Sequence, residues 1–333
     1  MKPVFTDTAA TAPQATRSIL VITLSNVGDA VMTTPVMAAL HHKYPHAYMD
    51  IVTDARAAPL FSHCPYRRDI ILKDKRAGWQ GLAALVKRLR ATRYDLVVDL
   101  RTDGLSLLLR ARRRLTRRGT RSKAGHAVER HFSVIQQREQ LSGIPRPCVW
   151  LSATEQEFAA QALAGLSGNR WLALGPGARW EGKCWPAENF AALANRLQGD
   201  TDAVILLGNP AEQDSCARIA ANLALPCLNL AGMTDLLQAS AILQRATLFI
   251  GNDSGLGHMA AAAGTPTVTV FGPGDPLRYH PWHPRARWIQ RPTRSVSDVT
   301  VDAVTGQAYA VLAATSQLPE QRESDERNVK SKK

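Results

Sequence analysis

A carboxylate stands just past the first apolar run of the chain, in Leu24-Ser25-Asn26-Val27-Gly28-Asp29, with Thr33-Thr34-Pro35 following. Gly28 permits a sharp turn and a close backbone approach. Asp29 falls at the entrance to a helix, where two roles are open to it. As an N-cap it stabilises that helix by about 0.5–2 kcal/mol. As a general base in a cleft it accelerates a proton transfer by about 10²–10⁴. Ser25, Asn26 and Gly28 would line the same loop.

A second segment, Gly251-Asn252-Asp253-Ser254-Gly255-Leu256-Gly257-His258, lies between a buried strand and an alanine-rich helix. Small residues there let backbone N–H groups face a ligand, and a helix amino terminus favours an anion such as a diphosphate. Ser254 and His258 add side-chain donors. The plainer reading is a capped helix with a core histidine. The glycine spacing is not the dinucleotide fingerprint, which needs GxGxxG after the first strand. A third segment, Gly175-Pro176-Gly177-Ala178-Arg179 then Lys183-Cys184-Trp185-Pro186, sets two cations after a glycine turn. It suits negative charge on a bound nucleotide, or is a surface loop. Phe271-Gly272-Pro273-Gly274-Asp275-Pro276 is a rigid turn.

The elements that must position these loops alternate in type. Short β-branched runs at Ile19–Thr23, Tyr48–Thr53, Asp69–Leu72 and Asp95–Leu100 predict strands, with helices over Val31–His42 and Gly81–Arg90 between them. The second half repeats the rhythm, with strands at Trp171–Leu174, Ala203–Leu207, Leu248–Ile250 and Thr267–Phe271. Helices are expected over Pro186–Leu197, Glu212–Leu223, Thr234–Arg245 and Ser254–Ala263. Strand–helix alternation with short connections implies parallel sheets covered on both faces. Two such units make a two-lobed α/β protein with a cleft at the strands' carboxyl ends. The expected division is 17–150 and 151–316, broken near Gly143 to Ser152; residues 1–16 and 317–333 are polar and aperiodic and are expected to be disordered.

Bulk properties narrow the classes further. The 333 residues carry 41 Lys and Arg against 28 acids, a net +13, and eight of the bases with no acid fall between Arg110 and Lys123. Such a field draws polyanions, anionic membrane surfaces or phosphorylated glycolipids, or is only a solvated basic face. Nucleic acid is not the expected partner, because the run lacks interleaved aromatics and no nucleic-acid motif accompanies it. Five scattered cysteines give no zinc or redox spacing, so neither kind of site is supported, and no metal-ligand cluster stands out elsewhere in the chain. No apolar run approaches the roughly 18–20 residues of a membrane span, and no signal peptide is evident, so a cytoplasmic protein is expected.

Taken in order, the four segments resemble glycosyltransferase family 9, the ADP-heptose:lipopolysaccharide heptosyltransferases, over about residues 17 to 285. Leu-Ser-x-x-Gly-Asp with its Thr-Thr-Pro, Lys183-x-Trp185-Pro186, and Gly251 through His258 into Thr265-Pro266 and Phe271-Gly272-Pro273 carry the resemblance. It implies a GT-B fold of two Rossmann-like domains, the acceptor held by the first and the nucleotide sugar by the second. It implies inverting transfer of a heptose from ADP-L-glycero-D-manno-heptose to the anionic inner core of lipopolysaccharide, at the inner face of the inner membrane. By position, Asp29 matches the base and Lys183 the lysine that neutralises the leaving diphosphate. Ser254, Gly255 and His258 match residues around that diphosphate, with Leu256 among them, and Asp253 a contact to the donor sugar. Glu212 matches a ribose-binding acid and Met233 the site where adenine packs, while Gly177 and Arg179 belong to the phosphate loop. Thr23 departs from the pattern, because many members carry a basic residue there; at Leu256 proline is the common residue.

Overall fold

The computed structural model describes residues 16–74, 76–101, 103–117 and 125–316. The tails expected to be disordered lie outside these residues except for Thr16, as does the Arg118–Lys123 part of the basic run.

Two parallel sheets form the molecule. In the first, β1 (Ser18–Ile22), β2 (Tyr48–Thr53), β3 (Arg67–Leu72), β4 (Tyr94–Asp99) and β5 (Ala111–Thr116) stand in the order β3-β2-β1-β4-β5. In the second, β6 (Trp171–Gly175), β7 (Ala203–Leu206), β8 (Cys227–Asn229), β9 (Leu248–Asn252), β10 (Thr267–Phe271) and β11 (Ala286–Gln290) stand in the order β11-β10-β9-β6-β7-β8. The central strands β1, β6 and β9 are short apolar runs because helices cover both of their faces. This is the GT-B arrangement of two Rossmann-like units.

The helices are α1 (Val27–Val31), α2 (Thr34–Lys43), α3 (Gly78–Arg90), α4 (Ala127–Gln136), α5 (Ala153–Leu163), α6 (Ala187–Arg196), α7 (Gln213–Ala220), α8 (Leu236–Arg245), α9 (Gly255–Ala262), α10 (Pro276–Tyr279) and α11 (Val301–Ser316). The helix expected over Val31–His42 is two helices. Thr33 Oγ1 donates to the Ala30 carbonyl at 2.6 Å, and Pro35 opens the second helix, so the chain turns between them. The helix expected from Glu212 begins instead at Gln213, and Glu212 closes a 3₁₀ turn, Pro210–Glu212.

Three strands escaped the sequence reading: β5, β8 and β11. The case of β5 gives part of the basic run a structural use, though its arginines Arg112, Arg113 and Arg114 stay exposed. Its residues Ala111–Thr116 pair in parallel with β4, and its arginines alternate sides as a strand requires. Arg113 reaches Glu139 at 2.9 Å and the Tyr44 hydroxyl at 3.1 Å, while Arg114 donates to the Ser106 carbonyl at 3.0 Å. Glu139 is fully buried and also pairs with Lys43 at 2.9 Å. Part of the excess positive charge therefore holds the edge of the first sheet together.

Candidate active site

The loop after β1 and the loop after β9 meet. Parallel topology brings each to the carboxyl end of a central strand, and α1 and α9 then pack against each other near their amino termini. Glycine makes this approach possible on both sides. A β-carbon on Gly28 would stand 2.5 Å from His258 Cδ2, and one on Gly255 would stand 3.1 Å from Val27 Cβ. Real β-carbons do not tolerate the first distance, so the His258 imidazole occupies the space a side chain at position 28 would take.

Asp29 is the third residue of α1 and is half-buried. It is not the N-cap: Asn26 holds that position, makes no side-chain cap bond, and donates instead from Nδ2 to Asp29 Oδ2 at 2.9 Å. The capping role left open by the sequence is therefore removed, and the carboxylate is held by one amide at the interlobe cleft. Thr23, where the resemblance leads one to expect a basic residue, is wholly buried and bonded to Thr33 Oγ1 at 2.6 Å, so it faces no ligand.

On the opposite side, Ser254 is the N-cap of α9 yet makes no capping bond, and its Oγ has no partner among the described residues. Ser25 Oγ and His258 Nδ1 are likewise buried and unpartnered. Buried polar atoms normally find partners, so Ser254 and His258 at the start of α9, and Ser25 in the loop after β1, are candidates to meet a polar ligand. Burial lowers the His258 pKa, and Asp253 and Asp29 counteract it only in part. The imidazole is thus neutral at pH 7, with one nitrogen free to donate and the other to accept.

Lys183 sits in a 3₁₀ turn, Glu181–Lys183, and its Nζ pairs with Asp253 Oδ2 at 2.5 Å. Two anchors fix this turn. Trp185 is buried and donates from Nε1 to the Val299 carbonyl at 2.7 Å. The buried Asn252 accepts from the Trp185 backbone N–H at 3.0 Å and donates to the Pro176 carbonyl at 2.5 Å. Asn252 was singled out in the sequence only as part of its segment, yet it joins both ends of the Pro176–Trp185 loop to the β9 terminus. Arg179 is exposed on that loop.

Glu212 lies against Gly177, where a β-carbon would come within 1.9 Å of the carboxyl carbon. It accepts from the Asn209 N–H and side-chain amide, both at 2.8 Å, in a capping box, and burial raises its pKa despite these bonds. Met233 is 66% exposed beside Gly232, whose φ of +73° only glycine adopts freely. Leu256 contacts the Gly175 region with its side chain, a packing role. Gly177 and Glu212 thus sit together on the second lobe, and Asp29, Gly28, Ser254, Gly255 and His258 gather at the junction.

A feature with no sequence signal closes the junction further along. His126, the N-cap of α4, accepts from the Val128 N–H at Nδ1 and reaches the His280 carbonyl through Nε2 at 2.9 Å. Its ring also packs on Trp282. No spacing in the chain ties residue 126 to residue 280.

Among the described residues no group of three His, Cys, Asp or Glu side chains is placed to hold a metal ion, and no helix is long and apolar enough to cross a membrane.

Comparison with known proteins agrees with this geometry. The pattern described as Glycosyltransferase family 9 (heptosyltransferase) matches residues 82–304. The chain is 29% identical to lipopolysaccharide heptosyltransferase 3 of Escherichia coli strain K12, over 91% of this chain and 98% of that protein. The solved E. coli ADP-heptose lps heptosyltransferase II has a TM-score of 0.75 at 27% identity, covering 90% of this chain and 99% of the other. A glycosyl transferase family 9 structure from Veillonella parvula DSM 2008 has a TM-score of 0.81 at 22% identity, over 90% and 98% of the two chains, a likeness of fold.

Proposed function

This chain belongs to glycosyltransferase family 9, and from that premise we propose that it moves a heptose from ADP-L-glycero-D-manno-heptose to an anionic lipopolysaccharide inner-core acceptor with inversion. The observation that carries the reading is the meeting of the Asp29 loop with the Ser254–His258 helix start, with Ser25 Oγ on the first segment and Ser254 Oγ and His258 Nδ1 on the second buried and unpartnered among the described residues. Relatives named for heptose transfer align along nearly the whole chain.

In this mechanism the acceptor lies on the Asp29 side and the donor diphosphate at the start of α9. Asp29 takes the proton of the acceptor hydroxyl as its oxygen attacks the anomeric carbon. The bond from that carbon to the diphosphate breaks on the opposite face, and ADP departs with the bonding pair. Lys183, the α9 backbone amides and the Ser254 hydroxyl absorb the charge that develops on the diphosphate. His258 donates there in its neutral form. Asp253 holds Lys183 in place and contacts the sugar. Glu212 takes the ribose hydroxyls beside Gly177, Met233 covers the adenine, and Arg179 approaches the phosphates from the loop. The reading calls for no resident metal or cofactor, because these groups supply the positive charge. Residues 17–150 would serve as the acceptor domain and 151–316 as the nucleotide-sugar domain. The basic stretch from Arg110 would meet the acceptor's anionic groups or the cytoplasmic face of the inner membrane.

The deciding measurement is ADP release from ADP-heptose with and without a heptose-deficient core acceptor. Acceptor-dependent release supports the reading. Binding of the nucleotide without release would reassign the sugar or acceptor within the family, and no binding at all would remove the donor assignment.

A further inference from the structure

Nine large apolar side chains are exposed among the described residues, and five of them lie on two segments that leave the carboxyl ends of β3 and β4: Leu72, Trp79 and Leu82 on one, Leu107 and Leu108 on the other. Trp79 is 77% exposed and Leu107 63%, so these are not grazing exposures at the rim of a core.

The local sequence accounts for how they come to lie there. On α3, Leu85 and Leu89 bury against β1, β2 and β4 in a core of their own. The same helical stripe continues back through Leu82 to Trp79, three residues apart, and runs out beyond the sheet. The 3₁₀ turn Leu105–Leu108 behaves alike: Leu105 and the following Leu109 enter that core, while Leu107 and Leu108 point away from it. Asp103 joins the two units, pairing with Lys73 from the loop after β3 and with Arg101 at 2.9 Å. The loops that carry the two apolar tips are therefore tied to each other by ion pairs.

Their surroundings are strongly basic. Residues 72–90 and 101–114 hold eleven Lys and Arg against two acids. Arg76, Lys87, Arg90 and Arg110 are exposed on the same two segments. A soluble polyanion would engage the cations and leave Trp79 and the leucines in water. An anionic bilayer takes up both, with tryptophan and leucine at the acyl boundary and the arginines among the headgroups.

We propose that the Trp79–Leu82 turn and the Leu107–Leu108 tip form a shallow membrane-insertion face that docks the protein on an anionic lipid bilayer. Both tips lie at the carboxyl ends of the first sheet's strands, the end from which the Asp29 loop also leaves β1. Docking thus turns the base toward a lipid-anchored acceptor; only this orientation rests on the proposed function. The contact is more than the basic stretch itself, since part of that stretch is spent on holding β5.

Flotation of the full chain with phosphatidylethanolamine–phosphatidylglycerol vesicles, and with phosphatidylcholine vesicles, tests the docking face. The expected result is recovery with the anionic vesicles and about tenfold less with the zwitterionic ones. A combined Trp79→Ser, Leu107→Ser, Leu108→Ser variant should lose binding to anionic vesicles by about tenfold or more at an unchanged melting temperature. Undiminished binding by that variant would overturn the proposal, as would failure of the wild type to float. A self-association seen by sedimentation and abolished by the same substitutions would also overturn it, assigning the face to a second copy of the chain. Turnover on an acyl-free acceptor is scored separately, and the variant should match the wild type there. Loss of turnover in both proteins would count against the sugar reading and leave the flotation result intact.

Discussion

The imidazole of His258, from the opposite lobe, fills the space that a side chain at Gly28 would need: a β-carbon on the glycine would stand 2.5 Å from the ring. The loop after β1 and the start of α9 are thereby registered against each other at the residue next to Asp29.

Gly28→Ala should therefore separate the two loops. Because His258 is buried, the ring has little room to yield, and overpacking of this kind costs about 1–3 kcal/mol. The melting temperature should drop, and Gly28→Ala combined with His258→Ala should recover part of the loss. Equal melting temperatures for the single variant and the wild type would show that the junction is open in solution.

Asp29→Asn preserves size and the bond to Asn26 but cannot accept the acceptor's proton. Turnover should fall by about 10²–10⁴, while nucleotide affinity, measured by calorimetry, stays within twofold of wild type. A variant that turns over normally would pass the base role to another group.

Removing the cation should act on the leaving group. Lys183→Gln is expected to reduce kcat by about 10², with a smaller change in KM. Asp253→Asn leaves Lys183 charged but unheld, so its loss should be milder. The reverse order of severity would mean that Asp253, through its sugar contact, matters more than the charge it positions.

Burial pushes the His126 pKa down to about 4. In the folded protein its Nδ1 accepts the Val128 N–H, so a proton there would face another proton. The unfolded chain takes up that proton near the ordinary value of about 6.5. Stability is thus intact above about pH 6.5 and declines as the pH falls toward 4, by about 2 kcal/mol at pH 5 from this residue alone. His131 and His283, lowered by burial to about 3 and about 4, add in the same direction. Melting curves between about pH 7 and pH 5 should show the decline, and His126→Asn, which keeps a capping side chain without titrating, should flatten it. An identical pH slope in that variant would clear His126 of the effect.

The sequence by itself determined the two-lobed alternation of strand and helix, because each central strand is a short apolar run that only a doubly covered parallel sheet can bury. It also determined the candidate loops, since glycine, serine and charged residues grouped after such strands have few other uses. Its limits were physical as well. Ala111–Thr116 has a polar pattern that periodicity assigns to no core; it is β5 through its parallel pairing with β4, and Glu139 and Tyr44 from elsewhere in the chain take up its Arg113. Whether Asp29 caps α1 or lies inside its first turn depended on Asn26 occupying the cap, a choice that local preference does not resolve. Which partners Gly28 and His126 meet across the cleft was decided by tertiary structure alone. Such contacts depend on how two sheets pack, and their energies come from shape and from hydrogen bonds between residues far apart in the chain, which leave no spacing in the sequence to read.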